Sequence, residues 1–355
     1  MSQYNLRHYL EGQSDRVEAV LAAHRAPARI TGGTVGPRLI RLFLNPAPHT
    51  RFSTIRGLTD DLALALRAPS LRIGRGEEGV ILELPNPHPR PVSLLTLLPE
   101  VAPLPPLTAM LGLTDAGVPL LARLSSPEVS HVLVSGTTGS GKSALLRTIA
   151  VSLVLSQSTA DLRLLCLDPK GRTFNSLADA PHLLRGRPVV ETHEALEALH
   201  SLLREMEIRD RRNEDSPAIV LLVDELADLI IQGRSAMTQA LTRLVQRGRE
   251  AGIHVVAATQ RPSSAILSGL MRANFPLRLV GKVVSAEDAR VASGRAKTEA
   301  HLLNGRGDFL AVGGSATPIR FQVAFIAERD ARKEIAELGK MANVQMANGR
   351  SAARR

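Results

Sequence analysis

The sequence predicts an α/β protein in two parts, a small α+β module followed by a larger layered core with a mostly parallel sheet. Three observations carry this. From about residue 130, short apolar runs alternate with longer segments of helical periodicity. A glycine-rich octapeptide, Gly136-Thr137-Thr138-Gly139-Ser140-Gly141-Lys142-Ser143, sits between one such run and the helical segment after it. Before residue 100 the pattern differs, with strand-like runs and short helical stretches that end in repeated prolines.

Apolar residues recur at helical spacing from Ser14 to Ala23, which places a helix within residues 1–26. Ile30-Thr31-Gly32-Gly33 reads as a turn, and Leu39-Ile40-Arg41-Leu42-Phe43-Leu44 as a strand ended by Pro46. A helix is expected over 58–66, begun by Thr59-Asp60-Asp61. Leu71-Arg72-Ile73 and residues 79–84 are further strand candidates, after which Pro85, Pro87, Pro89 and Pro91 break the pattern. Clustered prolines cannot continue a helix or a central strand, so residues 101–106, Val-Ala-Pro-Leu-Pro-Pro, are the expected linker. The boundaries that follow are a module over 1–106, a core over 107–335 and a flexible basic tail over 336–355.

In the core, strands are expected at 131–135, 162–167, 219–223, 254–259, 277–280 and 308–312. Nearly continuous apolar runs separated by helices imply parallel strands covered on both faces.

Composition narrows the function classes. Aromatic residues are 3% of the 355 and Trp is absent, which argues against recognition by stacking bases on rings. Cys166 is the single cysteine and lies in an apolar run, so no internal disulfide forms and a reducing, cytoplasmic setting fits. The start carries no apolar leader, and no uncharged apolar run reaches the roughly 18 residues that a membrane helix needs. A net charge of +10 fits contact with a polyanion, nucleic acid above all.

The octapeptide matches the pattern Gly-x-x-x-x-Gly-Lys-Ser of a phosphate-binding P-loop. Its glycines let the backbone curl so that N–H groups face phosphate oxygens, Lys142 brings a positive charge, and Ser143 offers a hydroxyl to Mg²⁺. The helix that starts there directs its positive end at the anion. These residues, Gly136, Thr137, Thr138, Gly139, Ser140, Gly141, Lys142 and Ser143, are the expected contacts of ATP. A second element, the apolar run ending in Asp224-Glu225, has the form of a Walker B strand. Asp224 can join Ser143 in holding Mg²⁺, and Glu225 can accept a proton from an attacking water. Gln260, at the end of the run 255–259, is the candidate sensor of the terminal phosphate. Lys142, Asp224, Glu225 and Gln260 therefore form the expected catalytic set.

With their flanks these elements resemble the FtsK/SpoIIIE DNA translocases of the FtsK–HerA group. The resemblance rests on the octapeptide and its strand, on Leu167-Asp168-Pro169-Lys170, Pro181-His182-Leu183-Leu184, Val223-Asp224-Glu225-Leu226-Ala227-Asp228, Arg249-Glu250-Ala251-Gly252-Ile253-His254 and Ala258-Thr259-Gln260-Arg261-Pro262. Upstream, Gly36-Pro37, Pro46-Ala47-Pro48 and Leu58-Thr59-Asp60-Asp61-Leu62-Ala63-Leu64 extend it to roughly residues 30–330. It implies a RecA-like P-loop core that assembles as a ring, usually a hexamer, around double-stranded DNA. ATP would lie between subunits, with Arg249 completing the neighbour's site and Arg247 and Arg261 as nearby alternatives.

The family's DNA contacts come from loops facing the pore, which match the region after Val283. Arg290 matches a basic family position there, whereas Ala286 stands where lysine is common and Glu287 adds negative charge. Arg295, Lys297 and Arg306 are the candidates to compensate. Asn304-Gly305-Arg306-Gly307-Asp308-Phe309 resembles the glycine turn before the family's last strand, and a plain strand-connecting turn explains it equally well.

Neither the N-terminal membrane part nor the C-terminal winged-helix module of long family members is expected in this sequence. A translocase on double-stranded DNA is the leading expectation. A protein-secretion motor of the type VII kind is the alternative, disfavoured by one P-loop and no anchor. A protein that merely holds nucleotide is disfavoured because Glu225 is not needed for binding alone.

Overall fold

The computed structural model describes residues 3–69, 71–76, 79–260, 269–314 and 317–352. The chain divides into two compact units, Met1–Pro91 and Val92–Arg355.

In the first unit, helix α1 (Gln3–Ala23) precedes strands β1 (Ala28–Val35) and β2 (Leu39–Pro46), helices α2 (Phe52–Gly57) and α3 (Thr59–Ala65), and strands β3 (Arg72–Gly76) and β4 (Gly79–Pro85). The sheet is antiparallel in the order β1-β2-β4-β3. Alternation along β2 sends Ile40, Leu42 and Leu44 to one face, where they meet Val17 and Leu21 of α1 and Leu62 of α3. The turn expected at Ile30–Gly33 is instead the interior of β1. The ladder shifts register between Ile30 and Gly32, and a side chain on Gly33 would place its Cβ 2.4 Å from the Arg41 carbonyl oxygen. The glycines mark a bulge and a close backbone approach, which sequence alone does not separate from a turn.

The second unit begins with β5 (Val92–Ser93), α4 (Leu94–Val101), β6 (Thr108–Thr114), β7 (Pro119–Arg123), β8 (His131–Ser135), α5 (Lys142–Ser156) and β9 (Leu162–Leu167). There follow α6 (Thr192–Arg212), β10 (Ala218–Val223), α7 (Leu226–Arg247, kinked at Arg234), β11 (Ile253–Thr259), α8 (Gly269–Ala273) and β12 (Leu277–Val280). The unit ends with α9 (Ala286–Ser293), β13 (Asp308–Gly313), β14 (Ile319–Phe325) and α10 (Glu328–Ala352).

Its sheet runs β7-β6-β14-β13-β12-β8-β11-β10-β9, with β5 beside β14. The five strands from β12 to β9 are parallel, as the apolar runs predict. From β12 outward the sheet continues antiparallel through β13, β14, β6 and β7, so the run at 308–312 is antiparallel. Both faces of the parallel part are covered. Val132 and Val134 of β8 pack with the apolar helix α5, while Leu133 between them packs in a second core with α6 and α7.

The expected linker lies inside this unit. Val92 pairs with Ala324 of β14, and Leu94 and Leu97 of α4 are buried in the core that holds α5. The prolines of 103–106 therefore connect α4 to β6, and the break between units falls at Pro91. Helix α10 likewise runs into the stretch expected to be a tail. Ala331 and Ile335 are buried in its first turns, and the helix continues from them.

Candidate functional site

Parallel strands in register deliver their C-terminal ends to one edge of the sheet, where ligands of open α/β folds sit. Val223 is paired with both Leu167 and Ala257, and Thr259 with Ser135. Asp168, Asp224, Gln260 and Gly136, each the next residue after its strand, therefore emerge side by side. Strand β11 lies between β8 and β10, which puts Gln260 next to the P-loop strand.

The loop between β8 and α5 is braced from outside. Thr137 donates its N–H and hydroxyl to the Lys282 carbonyl at 2.8 and 3.1 Å. The N–H of Arg306 reaches the Gly139 carbonyl at 3.0 Å, and that of Gly307 reaches the Ser140 carbonyl at 2.7 Å. Gly141 has φ +107°, and a Cβ there would sit 2.6 Å from the Gly307 nitrogen, so only glycine fits. The turn around Arg306 thus does more than connect strands, because it fixes the P-loop.

Inside the loop, Lys142 donates to the carbonyls of Gly136 and Thr137 at 2.7 and 3.0 Å. Burial lowers its pKa, against the opposing pull of Glu225 and Asp224. The Ser143 hydroxyl lies 3.2 Å from Asp224 Oδ1. The Thr138 hydroxyl donates to Gln260 Oε1 at 2.8 Å, and the Gln260 N–H donates to Glu225 Oε1 at 3.2 Å. These groups line one cavity of about 320 Å³ together with Lys170, Arg172 and Thr173. Lys142, Asp224, Glu225 and Gln260 all contribute to its wall.

Burial raises the pKa of Asp224, and the nearby Asp168 adds to the effect, while hydrogen bonds from Thr173 and Ser143 oppose it. Asp224, the facing Ser143 hydroxyl and the buried Asp168, whose Oδ1 has no hydrogen-bond partner, make an all-oxygen set that suits a hard divalent cation. Ser143 and Asp224 are the residues that can hold Mg²⁺ with a nucleotide.

Sequence reasoning gave no role to the loop after β9. Lys170 lies 3.6 Å from Glu225 Oε2 and 3.4 Å from Asp228 Oδ2. The available signal was the position of Asp168-Pro169-Lys170 at the end of a strand neighbouring the Walker B strand.

Arg249 is not brought to this site. It is exposed in the turn between α7 and β11, at the start of β11, whereas Gln260 follows its end. Seven residues at about 3.3 Å each separate the two by roughly 20 Å. Arg247 is ion-paired with Asp210 at 2.7 Å, and Arg261 lies outside the described residues.

The expected DNA contacts are arranged differently from a free loop. Residues 286–293 form helix α9, capped by Ser285, and Arg290 is paired with Glu287 at 2.5 Å. Arg295 donates to the Gly314 carbonyl, and Lys297 is exposed with φ +61°.

Comparison with known proteins follows the same division of the chain. Residues 103–215 and 208–264 match the FtsK/SpoIIIE family model, and residues 2–86 match the FtsK alpha domain. The chain belongs to the FtsK/SpoIIIE family. It is similar to the DNA translocase FtsK of Chlamydia trachomatis serovar D, 32% identical over 377 residues that cover 94% of this chain and 46% of the relative. It is also similar to the DNA translocase SftA of Bacillus subtilis, 32% identical over 351 residues that cover 91% of this chain and 36% of the relative. The chain thus spans less than half the length of these curated relatives.

Two solved structures share the fold. One is the pCW3 conjugation coupling protein TcpA with ATPγS, at a TM-score of 0.60 and 17% identity, covering 92% of this chain and 99% of that one. The other is the cytoplasmic domain of the Thermomonospora curvata type VII secretion ATPase EccC, at 0.59 and 22% identity, covering 70% and 34%. At these identities the likeness establishes a P-loop ATPase motor fold common to both.

Proposed function

We propose that this chain is the motor of an ATP-driven translocase on double-stranded DNA. The observation that carries the reading is the convergence of Lys142, Ser143, Asp224, Glu225 and Gln260 on one cavity in a chain of the FtsK/SpoIIIE family. Backbone N–H groups of residues 136–143, the Lys142 ammonium and the start of α5 bind the phosphates of ATP. Ser143 and Asp224 would hold Mg²⁺, which would supply positive charge to the phosphate oxygens. Glu225 accepts the proton of the attacking water. Gln260, hydrogen-bonded to the P-loop through Thr138 and to Glu225 through its backbone, links the terminal phosphate to the base.

Arg249 cannot serve its own cavity across the length of β11. Its exposed position fits delivery to the cavity of the next subunit in a ring, usually of six, where a guanidinium stabilises charge on the transferred phosphoryl group. An isolated subunit then binds ATP and hydrolyses it poorly. Arg290, Arg295 and Lys297 are the candidate phosphate contacts, and the grip would not read sequence. The Arg290–Glu287 pair must open for Arg290 to take part.

The motor fold is shared with secretion ATPases, but the relatives near one-third identity are DNA translocases, which favours DNA. ATP turnover with and without long duplex DNA tests the reading. Stimulation that fades as salt rises is expected. Turnover indifferent to DNA at low salt would overturn it.

A further inference from the structure

The loop after β9 is built around a buried carboxylate. Asp168 is fully buried, and its Oδ2 accepts the N–H groups of Thr173 at 2.7 Å and Phe174 at 3.1 Å. The N–H of Gly171 returns to the Asp168 carbonyl at 2.9 Å, and Asn175 holds the Gly171 carbonyl at 2.7 Å. Phe174 anchors the loop in the core. Lys170 therefore extends from a fixed backbone.

Its ammonium faces the residue cast above as the base. Glu225 Oε2 is 3.6 Å away, while Glu225 Oε1 accepts the Gln260 N–H at 3.2 Å. Both oxygens of one carboxylate are thus held by groups from the ends of two different strands. The side chain of Glu225 is only 4% exposed, and Asp224 precedes it directly. A buried carboxylate beside another one does not keep its place unaided, because desolvation and like charge both drive it out. Of the other cations lining the cavity, Lys142 is engaged with loop carbonyls and Arg172 has no ion pair with Glu225. Lys170 is the ion-pair partner of Glu225 among the described residues. Burial works against the charge on Lys170, yet Glu225, Asp228 and Asp224 outweigh it and raise its pKa, so the ammonium persists. Asp228, one turn further along α7, steadies the same ammonium at 3.4 Å.

We infer that Lys170 is a positioning residue for hydrolysis, holding the Glu225 carboxylate aimed into the cavity. The inference rests on the base role proposed for Glu225. An exposed lysine bridging two acids would ordinarily contribute little. Here one of the acids is buried and fixed at its second oxygen, so the pair acts on geometry and charge at a reacting group.

The test uses the full chain with duplex DNA and compares the uncharged Lys170→Met and Lys170→Gln with the charge-retaining Lys170→Arg. Both uncharged variants are expected to lose roughly tenfold or more in kcat. Their dissociation constants for fluorescent ATP and ADP analogues should stay within about twofold of wild type, and Lys170→Arg should recover most of the rate. In a Glu225→Gln background, single-turnover hydrolysis should show no further loss on adding Lys170→Met. Wild-type turnover in Lys170→Met overturns the inference alone. Weakened ATP binding with ADP binding kept overturns it by placing Lys170 on the terminal phosphate. An undiminished loss in the Glu225→Gln background also overturns it, since Lys170 would then act independently of Glu225. A wild-type chain that hydrolyses no ATP overturns the functional reading and this inference together.

Discussion

Acid is expected to destabilise the motor unit through His131, and asparagine there is expected to blunt the effect. His131 opens β8 and is buried. Its Nδ1 accepts the Val255 N–H at 3.0 Å, which requires the neutral ring protonated at Nε2. His254 beside it contacts the Ser130 carbonyl through Nδ1 at 3.1 Å. Burial pushes the His131 pKa from 6.5 down to about 3, and the neighbouring His254 and Arg249 push the same way. Between these values the unfolded chain carries a proton that the folded chain refuses. Stability is therefore complete above pH 6.5 and is lost as pH falls toward 3. Each pH unit in this window is worth about 1.4 kcal/mol, so roughly 2 kcal/mol is gone by about pH 5 and on the order of 5 kcal/mol across the window. His131→Asn keeps an acceptor for Val255 and should cost about 1 kcal/mol at neutral pH. Urea unfolding followed by far-ultraviolet circular dichroism suits a chain without Trp. The difference between wild type and variant should shift by about 2 kcal/mol between about pH 7 and pH 5, so that a variant about 1 kcal/mol less stable becomes about 1 kcal/mol more stable than wild type. A gap that stays constant would refute the assignment of the acid sensitivity to this ring.

Glu225→Gln should bind ATP normally while turnover falls about a hundredfold or more, and unchanged turnover would remove Glu225 from the base role. Arg249→Ala and Lys142→Ala should each hydrolyse poorly, and mixing the two should restore part of the rate, because mixed rings hold some cavities with both groups intact. No recovery on mixing, measured as steady-state phosphate release, would count against a shared site. Arg320→Met breaks a buried two-pronged pair with Asp308 at 2.9 and 2.8 Å. It should cost about 3 kcal/mol or more in chemical denaturation. Asp308 also holds the Asn304 N–H, within the turn whose Arg306 and Gly307 brace the P-loop. Nucleotide affinity should therefore fall as well, and unchanged affinity would show that the brace is dispensable.

Much of the motor core was legible because its signals are local. A strand buried on both faces reads as a continuous apolar run, and β8, β9 and β12 begin and end where those runs do. The P-loop and Asp224-Glu225 were legible because phosphate and metal chemistry restrict the residue types. Strand direction was not, since β13 is as apolar as its parallel neighbours and its pairing depends on the chain's return through β14. The boundary at Pro91 was hidden because prolines mark a break in secondary structure without saying whether the chain crosses between units there. The brace from Arg306 and Gly307 uses backbone N–H groups, which leave no side-chain signature. Lys170 belongs to a motif the sequence shares with the family, but its place beside Glu225 becomes visible only where the Asp168 loop turns it inward.

Displacement of a triplex-forming oligonucleotide from a linear duplex measures motion along duplex DNA directly. ATP-dependent release of the third strand, lost in Glu225→Gln and suppressed by high salt, is expected. ATP hydrolysis that proceeds while the third strand stays in place would contradict it.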